Sequence, residues 1–340
     1  MNLSLVIPVY NEEAVLPITF KRLREVLSSM DCTYEIIFVN DGSRDGTLEI
    51  LSKECARDSR IKVVSLSRNF GHQAAVTAGL DFAGGDAVVV MDADLQDPPE
   101  LLPQMVALFQ EGYDVVSPQR VAREGETWFK RQTAALFYAL MRRLADANMP
   151  AQVGDFRLLS QGAVRALRQL REQHRFMRGM VAWLGLREAL LPFERQKRAA
   201  GETKYPLWKM LRFSWTAITS FSAVPLRMTM FLGLLTVGFA FSYLIWVLFM
   251  YFSARPVVWG WTSLVLLECF FSGLTLICVG LMGDYMARMY EELKGRPLYV
   301  ADCVLNLSRP LEGSRVAVVE QRTPHLVGET AEARRSSGSV

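Results

Sequence analysis

From Met228 to Ala254 the chain carries no charged residue (MTMFLGLLTVGFAFSYLIWVLFMYFSA), and a second apolar stretch, Trp261 to Met282, carries one, Glu268. Each exceeds the roughly 20 residues that cross a ~30 Å hydrocarbon layer at about 1.5 Å per residue. Buried helices of a soluble domain are also apolar. Such length with so few charges, and with Tyr251, Trp259 and Trp261 near the ends, is the pattern of two transmembrane helices. Arg212 and Arg227 precede the first stretch, Arg288, Lys294 and Arg296 follow the second, and only Arg255 lies between. That bias predicts a multi-pass protein of the cytoplasmic (inner) membrane with both termini cytosolic. No signal peptide is expected, because MNLSLVIPVYNEE is strand-like and then acidic. Glu268 has no basic partner in either stretch and is read as lying near one end or facing the other helix.

The first 120 residues have a different rhythm. Short β-branched runs at 3–9, 34–40, 61–67, 86–92 and 113–119 alternate with helix-period stretches at 13–30, 45–58, 72–83 and 99–111. Uninterrupted apolar strands separated by helices predict an α/β domain with a mostly parallel sheet covered on both faces. Helical segments are expected at 127–147 and 160–173 and an edge strand at 187–193. Residues 205–226 mix aromatics with Lys209 and Arg212, a composition suited to an interfacial helix. From 309 the tail is polar and is expected to be disordered. The organisation that follows is a cytosolic domain over 1–204, an interfacial segment over 205–226 and a transmembrane hairpin over 227–283. A juxtamembrane segment (284–308) and a tail (309–340) complete it.

Ligands of such sheets bind beyond the carboxyl ends of the strands. Those ends are polar here: Pro8-Val9-Tyr10-Asn11-Glu12, Asn40-Asp41-Gly42-Ser43, Arg68-Asn69-Phe70-Gly71, Asp92-Ala93-Asp94-Leu95-Gln96 and Arg120. No G-x-G-x-x-G follows the first strand, which disfavours a dinucleotide site. A net charge of +3 gives no general nucleic-acid footprint. The five cysteines show neither C-x-x-C spacing nor ligand-like spacing with the three histidines, so neither zinc nor a disulfide frame is expected.

Asp92 and Asp94, one residue apart at a strand end, suit a divalent cation shared with a diphosphate, and oxygen ligands suit Mg²⁺ or Mn²⁺. A plain turn is the alternative, since Asp is common where strands stop. Asp41 suits hydrogen bonding to a base edge or ribose, or else a helix cap, with Asp45 the stronger capping candidate. Glu12 fits either the site or a first-turn acid favoured by the helix dipole. His72 at a helix start reads as capping or packing. Met177, Met180 and Trp183 read as core or membrane-facing side chains rather than a cofactor site.

In this order, PVYNEE, VNDGSRDGT, RNFGHQAAVTAGL, MDADLQDPPE, GDFRLLS and AGETKY resemble the motifs of the family 2 GT-A glycosyltransferases. More narrowly they resemble the polyprenyl-phosphate glycosyltransferases, which include dolichol-phosphate mannose synthase and the bactoprenol glucosyltransferases. GLMGDYMARMYEELKGRPLYV, after the second apolar stretch, is similar to the two-span bacterial members, so the resemblance covers about residues 3–300. It implies that Pro8, Tyr10, Glu12, Val39 and Asp41 hold the base and ribose. Asp94 and Gln96 would be metal ligands, with Asp92 and Ala93 nearer the ribose and diphosphate and Asp92 also a candidate ligand. Arg120, Arg198 and Lys204 match basic residues that approach phosphates; Thr203 stands where relatives often have Ser. Asp155 matches an acid near the acceptor and is expected as base or orienter, with pairing to Arg157 as the structural alternative. Arg131, Arg195 and Arg198 are candidates for the acceptor phosphate, with a solvated basic face near anionic lipid as the alternative for the first two.

The implied reaction is inverting transfer of a hexose from a nucleotide diphosphate sugar to a polyprenyl phosphate, with UDP-glucose and undecaprenyl phosphate the favoured pair. GDP-mannose or a UDP-amino or deoxy sugar would be the alternative donors. A processive polysaccharide synthase is disfavoured: the chain has no Q-x-x-R-W motif and too few apolar stretches for a channel. A non-catalytic membrane scaffold that binds nucleotide sugar is the rival from another class. Two spans bury little surface alone, which leaves room for a homo-oligomer.

Overall fold

The computed structural model describes residues 1–120, 153–193, 224–252, 260–307 and 317–321. Described residues up to 193, with 297–307 and 317–321, fall in one compact unit, and 224–252 and 260–296 in a second.

In the first unit the apolar runs are strands: β1 (Asn2–Val9), β2 (Thr33–Asn40), β3 (Ile61–Leu66), β4 (Ala87–Val90) and β5 (Val115–Arg120). Between them lie α1 (Leu16–Ser28), α2 (Thr47–Arg57), α3 (His72–Phe82) and, after a single 3-10 turn at Pro99–Leu101, α4 (Leu102–Gln110). Then come β6 (Arg157–Ser160), α5 (Gln161–Gln169), α6 (Met177–Trp183) and β7 (Glu188–Phe193). Helices α7 (Val224–Phe252) and α8 (Trp261–Leu293) make up the described part of the second unit, and β8 (Val300–Leu305) and β9 (Ala317–Gln321) belong to the first.

The described strands form one nine-stranded sheet in the order β7-β5-β6-β4-β1-β2-β3-β8-β9. β1 lies parallel between β2 and β4, and β2 runs parallel to β3, so the ends of β1, β2 and β4 open on one rim. β6 runs antiparallel to both β4 and β5, as β8 does to β3. The mostly parallel sheet is as expected, with three departures. β6 separates the fourth and fifth strands, although Arg157–Ser160 is too short a run to stand out before the helix that follows. Val300–Leu305, expected in a juxtamembrane segment, extends the sheet by burying Ala301, Cys303, Val304 and Leu305. Ala317–Gln321, expected in a disordered tail, pairs parallel with β8. Pairings such as Val63 with Leu305 join residues so distant in sequence that no local pattern announces them.

Packing follows the helical period. α1 buries Leu16, Thr19, Phe20, Leu23 and Leu27 on one face, with the Phe20 and Phe38 ring centroids 4.9 Å apart. α3 lies so close to β1 that a Cβ on Gly79 would come within 2.1 Å of Val6 Cγ1. Only glycine fits there, and its position fixes where the α3 N-terminus meets the rim.

Helices α7 and α8 differ from all of these. Phe231, Leu234, Val237, Phe241 and Phe249 on α7, and Leu264, Phe270, Leu276 and Ile277 on α8, are exposed. Helices apolar on every side belong in a core or a bilayer. Among the described residues one stretch, Phe270–Leu293, is long and apolar enough to cross a membrane, and Phe231–Tyr243 is a shorter apolar stretch. Within α8, Glu268 accepts a hydrogen bond from Ser272 one turn on, at 3.4 Å.

Candidate active site

A cleft of about 400 Å³ opens at the carboxyl ends of β1, β2 and β4. Its walls are Pro8, Val9, Tyr10 and Glu12 after β1, Asp41 after β2, Asn69, Gly71, His72 and Ala75 around the start of α3, and Asp92, Ala93 and Asp94 after β4. The first two loops are stitched together. Asn11, with a left-handed φ of 55°, accepts from the Arg44 amide at 2.9 Å and donates its own amide to Ser43 Oγ at 2.9 Å. The Glu12 amide donates to Thr47 Oγ1 at 2.9 Å. Asp45 Oδ1 accepts from the Thr47 amide at 3.1 Å, a turn bond just ahead of α2, whose N-cap position is taken by Gly46 and not by Asp45.

Asp41 ties down the third loop. Its carboxylate accepts from the Phe70 amide at 2.7 Å and the Gly71 amide at 3.0 Å. Gly71 has φ +97°, a conformation that L side chains rarely adopt. Burial raises the Asp41 carboxyl above its usual range, and the two amide bonds only partly offset this.

The fourth loop meets α3 and α6 in a cluster of charge. His72 Nε2 lies 3.3 Å from Asp155 Oδ2 and 3.7 Å from Asp92 Oδ1. Arg178 Nε donates to Asp155 Oδ1 at 2.9 Å, and Gln73 Nε2 donates to Asp155 Oδ2 at 3.3 Å. These contacts drive two nearby acids in opposite directions. Asp155 is buried, which alone would raise its pKa, but the His72 bond and the Arg178 charge hold it well below the carboxylate range. Asp92 is pushed up to about 6, by burial first and then by Asp97, Asp155 and Asp94, against the pull of His72. For His72, burial is outweighed by the Asp155 bond and the Asp92 charge, and its pKa is raised. The site therefore contains one firmly ionised carboxylate beside a group of acids that repel one another.

The match to the family model described as "Glycosyl transferase family 2" spans residues 4–168. An uncharacterized glycosyltransferase of Bacillus subtilis, YkcC, is 46% identical over 297 residues, covering 87% of this chain and 92% of that protein. The chain belongs to glycosyltransferase family 2. The prophage bactoprenol glucosyl transferase homolog of Escherichia coli is 38% identical, with 88% of this chain and 98% of that protein covered. The bactoprenol glucosyl transferase of Shigella phage SfII is also 38% identical, covering 88% and 97%. Among solved structures, glucosyl-3-phosphoglycerate synthase from Mycobacterium tuberculosis is 21% identical, with a TM-score of 0.45 over 64% of this chain and 77% of that one.

In this glycosyltransferase the sheet is the expected GT-A arrangement, and most of the anticipated residues converge. Pro8, Tyr10, Glu12, Asp41, Asp92, Ala93 and Asp94 all line the cleft, and Asp155 stands directly behind His72. Val39 and Gln96 are, like Asp155, not on its walls. Val39 is fully buried on the face of β2 that packs against α3, close to Gly79. Gln96 is 4% exposed, and its amide donates to Asp94 Oδ1 at 3.1 Å, so it braces the turn that presents Asp94. The alternative of an Asp155–Arg157 pair is not what forms: Asp155 pairs with Arg178, and Arg157 is buried and donates to the Gly154 carbonyl at 2.8 Å. Arg120 ends β5 opposite Phe193. Arg131, Arg195, Arg198 and Lys204 lie outside the described residues. Met177 and Met180 are core, whereas Trp183 is 64% exposed.

Sequence reading overlooked Gln73 and Arg178 and undervalued His72. The first and last sit inside RNFGHQ, a motif already noticed, so their proximity to the site was available. Arg178 carried no signal, since nothing in RFMRGM points to a partner 23 residues earlier.

Proposed function

We propose that this glycosyltransferase moves a hexose from a nucleotide diphosphate sugar to a polyprenyl phosphate, with UDP-glucose and undecaprenyl phosphate the favoured substrates. The observation that carries this reading is its likeness, over 88% of the chain, to bactoprenol glucosyl transferases. The reaction would take place at the cytoplasmic membrane face, with α7 and α8 as two spans, residues 205–226 in the interface and both termini cytosolic. In-line attack on an α-linked donor would invert the anomeric centre and give a β-linked polyprenyl phosphosugar.

The site's chemistry suits that acceptor. A phosphate monoester has a second pKa near ~6 and is largely dianionic at neutral pH. Its oxygen needs no strong general base, and Asp155, held ionised by His72 and Arg178, would be a weak one. Asp155 therefore acts as an orienter, fixing the cations that receive the incoming phosphate. Arg131, Arg195, Arg198 and Lys204 are assigned to the same task, with Arg120 toward the donor diphosphate. Tyr10, Glu12 and Asp41 form the nucleoside side of the cleft.

The acids of the fourth loop fit a divalent metal, Mg²⁺ or Mn²⁺. Asp92 and Asp94 offer hard oxygen donors on the cleft wall, and their mutual repulsion is what a cation relieves. No cluster of three ligating side chains occurs among the described residues, so such an ion would complete its shell with diphosphate and water oxygens. When bound, the ion stabilises charge on the departing nucleoside diphosphate.

Purified protein incubated with undecaprenyl phosphate and radiolabelled UDP-glucose, GDP-mannose or UDP-amino sugars tests the reading. Lipid labelling that needs Mg²⁺ or Mn²⁺ and is abolished by EDTA is expected, strongest with UDP-glucose. Labelling from another donor reassigns the sugar. Nucleotide binding without lipid labelling from any donor overturns the reading in favour of a scaffold.

A further inference from the structure

Helix α6 begins without a cap of its own, since its N-cap residue, Phe176, makes no side-chain cap bond. A helix leaves its first N–H groups without intrahelical acceptors. Here one is satisfied from another helix: the Met177 amide donates to Gln73 Oε1 at 3.0 Å. A backbone N–H can only donate, so the carboxamide oxygen of Gln73 must face it. That turns Gln73 Nε2 toward Asp155, whose Oδ2 lies 3.3 Å away. The residue after Met177 is Arg178, whose Nε reaches the other oxygen of Asp155 at 2.9 Å. Three parts of the chain thus close on one carboxamide: the start of α3, the start of α6 and the turn before β6. Gln73 has a firm seat, because Thr77 Oγ1 donates to its carbonyl at 2.7 Å within α3.

We propose that Gln73 is a positioning residue for glycosyl transfer, holding Asp155 and Arg178 in the fixed relation that receives the acceptor phosphate. It is not on the cleft wall, whereas its neighbour His72 is. Nor does it touch the loops of Tyr10, Asp41 or Asp94 through any hydrogen bond described above. Its effect therefore falls on the acceptor step and spares nucleotide binding. The acceptor's identity rests on the polyprenyl-phosphate reading; the brace between the helices does not.

Two substitutions separate the two bonds. Gln73→Glu keeps an acceptor for the Met177 amide but sets a carboxylate against Asp155. Gln73→Met has similar volume and removes both bonds. Small displacements of catalytic groups cost up to about a hundredfold in rate. Both variants should lower kcat for lipid glycosylation by roughly tenfold or more and raise KM for polyprenyl phosphate, with UDP affinity within about twofold of wild type. Hydrogen exchange of the peptide spanning 176–180 should accelerate in Gln73→Met and stay near wild type in Gln73→Glu. Unchanged kcat in both variants, or a matching loss of UDP affinity, overturns the positioning role. Unchanged exchange in Gln73→Met overturns the brace whatever the acceptor. A wild-type protein that glycosylates no polyprenyl phosphate defeats the acceptor assignment, and the exchange measurement still decides the brace.

Discussion

The two ends of the central parallel strands treat their acids in opposite ways. At the amino-terminal end, Glu35 is surrounded by partners: Lys62 and the Ser4 hydroxyl bond to it, and the Gly84 amide donates at 3.1 Å. Its carboxyl is held below the usual range. At the carboxyl end, Asp92 faces Asp94, Asp97 and Asp155 and is pushed up to about 6, while Asp41 is raised by burial. One sheet thus carries acids that are satisfied by the fold at one end and acids that oppose one another at the other. Perturbed carboxylates in a cleft mark a place where a ligand completes the structure. The amino-terminal acid serves the fold, and the carboxyl-terminal acids are the ones to which substrate and metal binding is assigned above.

Substitution at the carboxyl end should therefore separate function from stability. The largest effect is expected from Asp94→Ala, which removes a cleft-wall carboxylate proposed to hold the metal. Loss of an electrostatic stabiliser of this kind costs roughly 10²–10³ in rate. Turnover should fall by at least that factor and Mn²⁺-dependent UDP binding should weaken, with the melting temperature unchanged or higher. A large fall in melting temperature would mean that Asp94 belongs to the fold. Next comes Asp155→Asn, expected to lower turnover by about a hundredfold while UDP affinity stays within about twofold. Collapse of nucleotide binding in calorimetry would place Asp155 on the donor side instead.

Asp92→Asn tests the repulsion itself. A raised carboxyl takes up a proton in the folded protein before it does so in the unfolded chain. Its unfavourable contribution to the fold therefore shrinks as pH falls through about 6. The variant should melt at or above the wild-type temperature at pH 7.5, and the difference should narrow below pH 6 and close only near the unfolded carboxyl's value of about 4. A variant that melts lower at pH 7.5 would show that the neighbouring acids do not burden the fold.

The same contrast explains what could be read from the sequence. Strand-end residues such as Tyr10, Asp41 and Asp94 were legible because a parallel sheet carries its strand ends to one rim, so local strand patterns sufficed to converge them. The side of the site around Asp155 was less so. Arg178 reaches Asp155 only because α6 folds back beside α3, and that depends on contacts such as Gln73 to Met177 between residues 104 apart. Val39 illustrates a different limit. A strand's alternation shows that neighbouring side chains face opposite ways, but both faces of β2 are covered, and only the packing of α3 at Gly79 shows that Val39 is closed off from the cleft. β8 and β9 escaped for the reason Arg178 did, since an added strand is defined by its partner and not by its own period.

The smallest expected effect is at the amino-terminal end, and it completes the comparison. Burial alone would raise the Glu35 carboxyl; Lys62, Ser4 and the Gly84 amide outweigh it and lower it. A depressed folded value means that the stabilisation is present above the unfolded pKa of about 4.3 and is lost as pH falls through the folded value. Glu35→Gln should cost roughly 1–2 kcal/mol at pH 7, the scale of a buried charge-assisted bond network losing its charge. Wild type and variant should converge as the pH is lowered past the unfolded value and through the depressed folded one, where the wild-type carboxyl protonates. Transfer activity at pH 7 should be unchanged at temperatures where both proteins are folded, because Glu35 lies at the opposite end of the strands from the cleft. Urea titrations at pH 7 and at acid pH, run beside an activity assay, measure both. If activity fell with stability unaltered, the division of labour between the two ends of the sheet would be wrong.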